Sequence, residues 1–140
     1  MANAEMRVVR HNLTHPHDLM RLPVGLVPHA VFTDPQVAAV GLSQEEARRR
    51  GVDHVVATRR YADTAYGWAL EDTTSFVKLI ADPHTRTLLG AHIIGPQAAT
   101  LLQPLLQAMM LGNTVDQLAR GVLYVHPALT ELLEQALLEV

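Results

Sequence analysis

Two side chains in the last sixteen residues could handle a proton between them. In "HPALTE", His126 is followed by Pro127 and, five positions on, by Glu131. Imidazole is the side chain whose ordinary pKa lies nearest neutrality. When one ring nitrogen donates to a carboxylate, the tautomer is fixed and the other nitrogen is left to take or give a proton. A neighbouring carboxylate in general also favours the protonated ring, which suits a base that must hold a proton during turnover. A plainer reading fits the same residues. Proline suits the first helical position, His126 would then be the N-cap, and a glutamate in the first turn is favoured by the helix dipole. Spacing alone favours that plainer reading, because histidine and glutamate five apart recur by chance.

The other candidates carry less chemistry. "HNLTHPH" gathers His11, His15 and His17 beside Asp18, a donor set that could hold a metal. Pro16 interrupts any regular helix there, and histidines in a linker are expected to be solvated, so no metal site is assigned. His92 alternates with apolar neighbours in "GAHIIG" and reads as a satisfied strand histidine. His29, His54 and His84 fall at turns or strand starts, and Met109 and Met110 read as packing. There is no cysteine, hence no thiol nucleophile, no disulfide and no thiolate metal site in this chain. No glycine-rich phosphate loop follows a strand, and no G-x-S-x-G elbow is present. One possible acid–base pair therefore stands without anything to act on.

The elements that must position this pair can be read from composition and pattern. The 140 residues are 49% hydrophobic, enough for one domain with a core. A formal charge of −3 gives no electrostatic reason to expect nucleic acid or an anionic membrane. The longest apolar runs fall short of the roughly 18 to 20 residues that span a bilayer. The N-terminus has no signal-peptide core, so a soluble cytoplasmic protein is expected.

Residues 2–13 read as a helix with Met6, Val9 and Leu13 on one face. Residues 14–30 hold three prolines and read as a linker. Strands are expected at "AVFTD", "QVAAVGL", "DHVVATRRY", "SFVKLIAD" and "TLLGAHIIG". A helix over "SQEEARRR" has Ser43 and Glu46 in capping-box spacing and Gly51 after its end. The helix over residues 98–111 is apolar except for the stripe Thr100, Gln103 and Gln107, and should be buried on most sides, beyond what one sheet can cover. Pro104 should bend it. A short helix ends at Gly121, "VLYV" is extended, and the last helix should start near Pro127. In that helix Leu129, Leu132, Leu133, Ala136 and Leu137 form one stripe and Glu131 faces away from it. Strands in a run, followed by helices in a run, indicate an α+β fold.

Four stretches in this order, "VFTDPQVAAVGLSQEEA", "FVKLIAD", "LLGAHIIGPQA" and "HPALTE", resemble the C-terminal interface (dimerisation) domain of the FAD-dependent pyridine nucleotide-disulfide oxidoreductases. The resemblance covers about Val27 to Val140. Within the family, "TAYGWALEDTTSFVKLIAD" and the alanine-leucine form of "HPALTE" are most similar to the mycothione reductase branch. "ANAEMRVVRHNL" resembles the last helix of the preceding flavin-binding domain. Residues 1–27 would then be a remnant of that domain and 28–140 the interface domain.

The resemblance implies an antiparallel β-sheet flanked by helices in a two-layer α/β sandwich, and a homodimer in which each subunit donates its His-Pro segment to its partner's active site. His126 would be the acid–base residue, Glu131 would orient it, and the backbone of His126 and Pro127 would lie near the partner's flavin. FAD and NADPH would serve the full-length protein, bound by upstream FAD- and NAD(P)-binding domains, with a low-molecular-weight disulfide as substrate. The chain alone is expected to bind no cofactor and to be inactive. Two departures from the family pattern stand out: Gln36 and Thr100 occupy positions where glutamate is common. A pure assembly module without a catalytic residue, or the interface domain of another member such as dihydrolipoamide dehydrogenase, remain alternatives.

Overall fold

The computed structural model describes residues 2–22 and 25–140. Pro23 and Val24, part of the expected linker, lie outside the described residues. Helix α1 spans Ala2–Thr14, and none of its residues is buried. Its apolar residues Met6, Val9 and Leu13 are all exposed.

Five short strands follow: β1 (His29–Val31), β2 (Val37–Gly41), β3 (Val55–Arg60), β4 (Phe76–Ala81) and β5 (Leu88–Ile94). They form one sheet in the order β1-β2-β5-β4-β3, every neighbouring pair antiparallel. Side chains alternate between faces along a strand, so the register sorts them. Ala38, Ile93 and Val77 share one cross-strand row, and Val40, Ala91 and Leu79 share another. All six are buried beneath the helical layer. The intervening row of Ala39, His92 and Lys78 faces the other way, where Lys78 Nζ donates to Gln44 Oε1 of α2 (Gln44–Arg49). The strand expected over residues 30–34 is shorter: Thr33 turns out of the sheet, its hydroxyl donating to the Pro35 carbonyl.

Ser43 caps α2 as expected, its Oγ accepting from Glu46 N at 3.1 Å. The Glu46 carboxylate does not complete a capping box; it pairs with Arg50 instead. A reciprocal box does form at α5 (Val115–Gly121), between Thr114 and Gln117.

The helical layer is α4 (Ala98–Leu111), α5 and α6 (Glu131–Leu137). In α4, Ala98, Leu101, Leu102, Leu105, Leu106 and Ala108 are buried within this one chain. The expectation that a single sheet could not cover the helix holds only for its C-terminal end, where Met110 and Leu111 stay exposed. The reason is that the polar stripe Thr100, Gln103 and Gln107 is widened by exposed Pro104, leaving a broad apolar arc for the sheet. The architecture is an α+β sandwich with an antiparallel sheet, as the sequence implied.

The strand expected to run from residue 53 to Tyr61 is shorter, Val55–Arg60, and no element is expected from the sequence over residues 62–69. After β3 the chain makes a 3-10 turn over Tyr61–Asp63 and a short helix α3 (Ala65–Ala69), capped by Thr64, whose Oγ1 accepts from Gly67 N. Tyr61 is fully buried and anchors it, its hydroxyl donating to the Pro96 carbonyl at 2.9 Å. Burial, reinforced by the charge of Asp72, pushes the Tyr61 phenol well above its ordinary pKa, so it remains a donor.

Candidate active site

Helix α6 begins at Glu131, four residues later than Pro127. His126 is therefore not its N-cap. The residues between are drawn into tighter i to i+3 bonds: Glu131 N donates to Ala128 O, Leu132 N to Leu129 O and Leu133 N to Thr130 O. Thr130 stands at the cap position without using its side chain. The apolar stripe is placed as expected, with Leu129, Leu132, Leu133, Ala136 and Leu137 all buried in the core. That burial fixes which way the helix faces. Cutting any one of its leucines to alanine would cost about 2 to 5 kcal/mol.

The stripe leaves Glu131 on the opposite side, where its carboxylate turns back over the preceding loop. Oε1 lies 2.7 Å from His126 Nδ1, and Oε2 accepts from the backbone N of Ala128 at 3.1 Å. The hydrogen bond with His126, and then that from Ala128, hold this carboxyl below the usual carboxylate range. An ionised carboxylate can only accept. The proton of neutral His126 must therefore sit on Nδ1, which leaves Nε2 with a free lone pair. The Glu131 side chain is 18% exposed and that of His126 69%. The pair thus has a sheltered orienting group and an accessible proton acceptor.

His126 and Pro127 border an open cavity of about 530 Å³ shared with Asp63, Tyr66, Trp68 and Ala69. Trp68 is 75% exposed. The sequence reading attached no site role to this segment. The signal available was Thr64 three residues before Gly67, a helix start that sets two aromatic residues in a short turn.

The remaining histidines do not converge on a site. The rings of His11 and His15 stack at a centroid distance of 4.5 Å. His11 Nε2 bonds the backbone O of Asp18, and His15 Nδ1 lies 2.8 Å from Thr14 Oγ1. No group of three metal-ligating side chains is present among the described residues. His92 is satisfied, as expected, by the Leu42 carbonyl at 2.9 Å.

Beside the pair, the approach to His126 is apolar. Leu123 is 98% exposed and Val125 70%, and with Pro104 and Val122 they rim a groove of about 430 Å³. Leu105, Leu118, Tyr124 and Leu133 line it.

Residues 27–137 match the family of the pyridine nucleotide-disulphide oxidoreductase dimerisation domain. The chain belongs to that family. Among curated relatives, mycothione reductase of Mycobacterium tuberculosis is 50% identical, over 99% of this chain and 31% of the relative. Dihydrolipoyl dehydrogenase of Mycobacterium bovis is 38% identical, over 79% of this chain and 24% of the relative. This dimerisation domain thus spans about a third of the length of the first of these relatives and a quarter of the second. The solved structure of the HOCl-induced flavoprotein disulfide reductase RclA from Escherichia coli superposes with a TM-score of 0.86 at 27% identity, over 96% of this chain and 31% of that one. LpdA from Mycobacterium tuberculosis superposes at 0.81 with 25% identity, over 92% of this chain and 28% of that one. The resemblance carried by the four sequence stretches is confirmed, and the domain is mycothione reductase-like. No helix among the described residues is long and apolar enough to cross a membrane.

Proposed function

We propose that this dimerisation domain is the C-terminal part of an FAD- and NADPH-dependent disulfide reductase of the mycothione reductase type. In this reading it joins two subunits and lends each the other's His126–Glu131 pair. The overall reaction converts one disulfide, one NADPH and one proton into two thiols and NADP⁺. Residues 1–27 are then the end of the preceding flavin-binding domain, which accounts for the uncovered apolar face of α1. The reading places the enzyme in the cytoplasm, where small thiols are kept reduced.

The observation that carries the proposal is the bridging carboxylate of Glu131. Bound at once to His126 Nδ1 and Ala128 N, it sets the tautomer and aims Nε2 outward. In the partner's site Nε2 would take the proton of an attacking thiol and return it to the leaving thiolate, while Glu131 stabilises the imidazolium between the two events. The thiols would come from elsewhere in the protein, since this chain has no cysteine.

The residues present do not make a flavin site. The cavity beside His126 is lined by no cation, and the sequence holds no dinucleotide-binding glycine turn. The flavin and the nicotinamide would be held by the rest of the protein, with His126 and Pro127 bordering the partner's flavin. No proton step above depends on either cofactor being held by this chain.

Replacing His126 by alanine in the full-length protein tests the reading. Disulfide reduction should fall by about a hundredfold or more, with the dimer intact. Unchanged turnover would leave only an assembly module. The 140-residue chain alone should show neither visible flavin absorbance nor reductase activity.

A further inference from the structure

Arg59 is an ionic side chain on an apolar face. It lies on β3 in register with Val77, and its side chain leaves the sheet on the side that carries α6. Its neighbours along that face of the strand are Val55 and Ala57. Nη2 donates to Gln135 Oε1 at 3.1 Å and Nη1 pairs with Glu139 Oε1 at 3.0 Å. Nε is buried and meets no acceptor among the described residues.

Stability does not explain this arginine. The pair with Glu139 is partly exposed, 31% for Arg59 and 45% for Glu139, so it contributes little to stability, while the buried Nε–H, unmatched among the described residues, costs some. What the guanidinium supplies is direction. The leucines of α6 hold it against the sheet by apolar contact, which fixes no direction of its own. A two-armed grip on Gln135 and Glu139 resists sliding along the helix axis. The helix has only seven residues and no basic side chain in its last turn. Arg59 brings positive charge to that end from the sheet.

Glu131 is the first residue of the same helix, one turn from Gln135. Any slide of α6 therefore moves its carboxylate relative to the loop that holds the imidazole. We propose that Arg59 is a positioning residue for the acid–base pair: by gripping Gln135 and Glu139 it sets the axial register of α6, and so the distance from Glu131 to His126. The inference rests on the reading of those two residues as the proton-handling pair.

The test uses the full-length protein. Arg59→Met removes the grip while keeping much of the side-chain length, and the double variant Gln135→Ala/Glu139→Ala removes both acceptors. Each is made in the natural background and together with Glu131→Gln, and disulfide reduction is followed at saturating NADPH. Arg59→Met should lower kcat about tenfold with KM within about twofold. The acceptor variant should reproduce the loss, and Arg59→Lys should restore part of it. With Glu131→Gln present, Arg59→Met should cost less than about twofold more, because the bond it protects is already altered.

A purely structural arginine would cost the same factor in both backgrounds. That outcome, or an unchanged kcat in both Arg59→Met and the acceptor variant, overturns the inference. If Arg59→Met does not fold, the acceptor variant carries the same comparison. His126→Ala, run alongside, separates the two levels. If it abolishes turnover and the grip variants do not affect it, the positioning role alone fails. If it leaves turnover unchanged, the acid–base reading fails and this inference with it.

Discussion

Glu131 reaches back across four residues to meet His126 at 2.7 Å, and its second oxygen is held by the backbone of Ala128. The carboxylate is thus fixed from both sides before any substrate arrives. Glu131→Gln keeps the shape and an acceptor for Nδ1–H but removes the charge that would stabilise an imidazolium. In the full-length protein kcat for disulfide reduction should fall by about tenfold to a hundredfold, with the dimer intact. Single-turnover kinetics should place the loss in the proton-transfer step.

Acid stability follows from four carboxylates. Glu131 is held below the usual range by His126 and then Ala128, and Asp116 by its hydrogen bonds from Arg86. Asp82 is held low by the backbone N–H groups of Thr85 and His84. At Asp72 partial burial pushes upward, but bonds from Ser75 and Thr74 outweigh it. A carboxyl depressed in the folded state stabilises the fold fully above its unfolded pKa, about 4, and loses that contribution as pH falls through the folded value. Thermal stability should therefore decline as pH falls below about 4, by a modest amount because these carboxyls are at least partly exposed to solvent. Asp116→Asn should flatten the acid-side decline. The Arg86 pair, at 3.0 and 3.1 Å, is the contact it removes.

Most of the scaffold was legible in the sequence because its signals are local. The apolar arc of α4, the Ser43 cap and the stripe of α6 each follow from periodicity or capping chemistry within a few residues. What was not legible depends on geometry that periodicity does not carry. Helix α6 starts at Glu131, not beside Pro127, and the Glu131 carboxylate reaches back to His126 and Ala128, neither of which follows from spacing. The turn over residues 61–69 has little periodicity of its own; it is anchored by Tyr61 bonding Pro96, thirty-five residues away. The pairing of His126 with Glu131 was readable only as one of two options. Its geometry requires the buried leucine stripe to set the rotation of α6.

Tyr61 also makes two glycines obligatory. A Cβ on Gly67 would meet the Tyr61 carbonyl oxygen at 1.9 Å, and one on Gly95, at a φ of +141°, would meet the Ser75 side chain at 2.6 Å and the Tyr61 ring at 2.8 Å. These contacts are with buried groups that cannot retreat. Gly67→Ala and Gly95→Ala should each destabilise the chain by about 2 kcal/mol or more, lowering its melting temperature by several degrees. Tyr61→Phe, which loses only the bond to Pro96, should cost about 1 kcal/mol. Calorimetry of the three variants checks the order.

Leu123 is a more demanding case, because nothing within the chain explains it. A leucine 98% exposed, three residues before His126 and beside exposed Val125, makes no stabilising contact in the monomer. Covering it against a second copy would contribute about 1.5 to 3 kcal/mol, and the adjoining groove offers a receiving surface of exposed Val122 and Val125 with half-buried Leu118 and Tyr124. Leu123→Asp replaces that gain with a carboxylate that must be desolvated on association. In the full-length protein the dimer dissociation constant should rise by about a hundredfold or more, measured by sedimentation equilibrium. The melting temperature of the 140-residue chain, measured where it is monomeric, should stay within a degree or two, because the side chain leaves water nowhere in the fold. If the site is completed by its partner's His126, as proposed, reductase activity should then fall as the enzyme is diluted and recover as it is concentrated. An activity per subunit that does not change on dilution through the weakened dissociation constant would mean that His126 serves its own subunit or none.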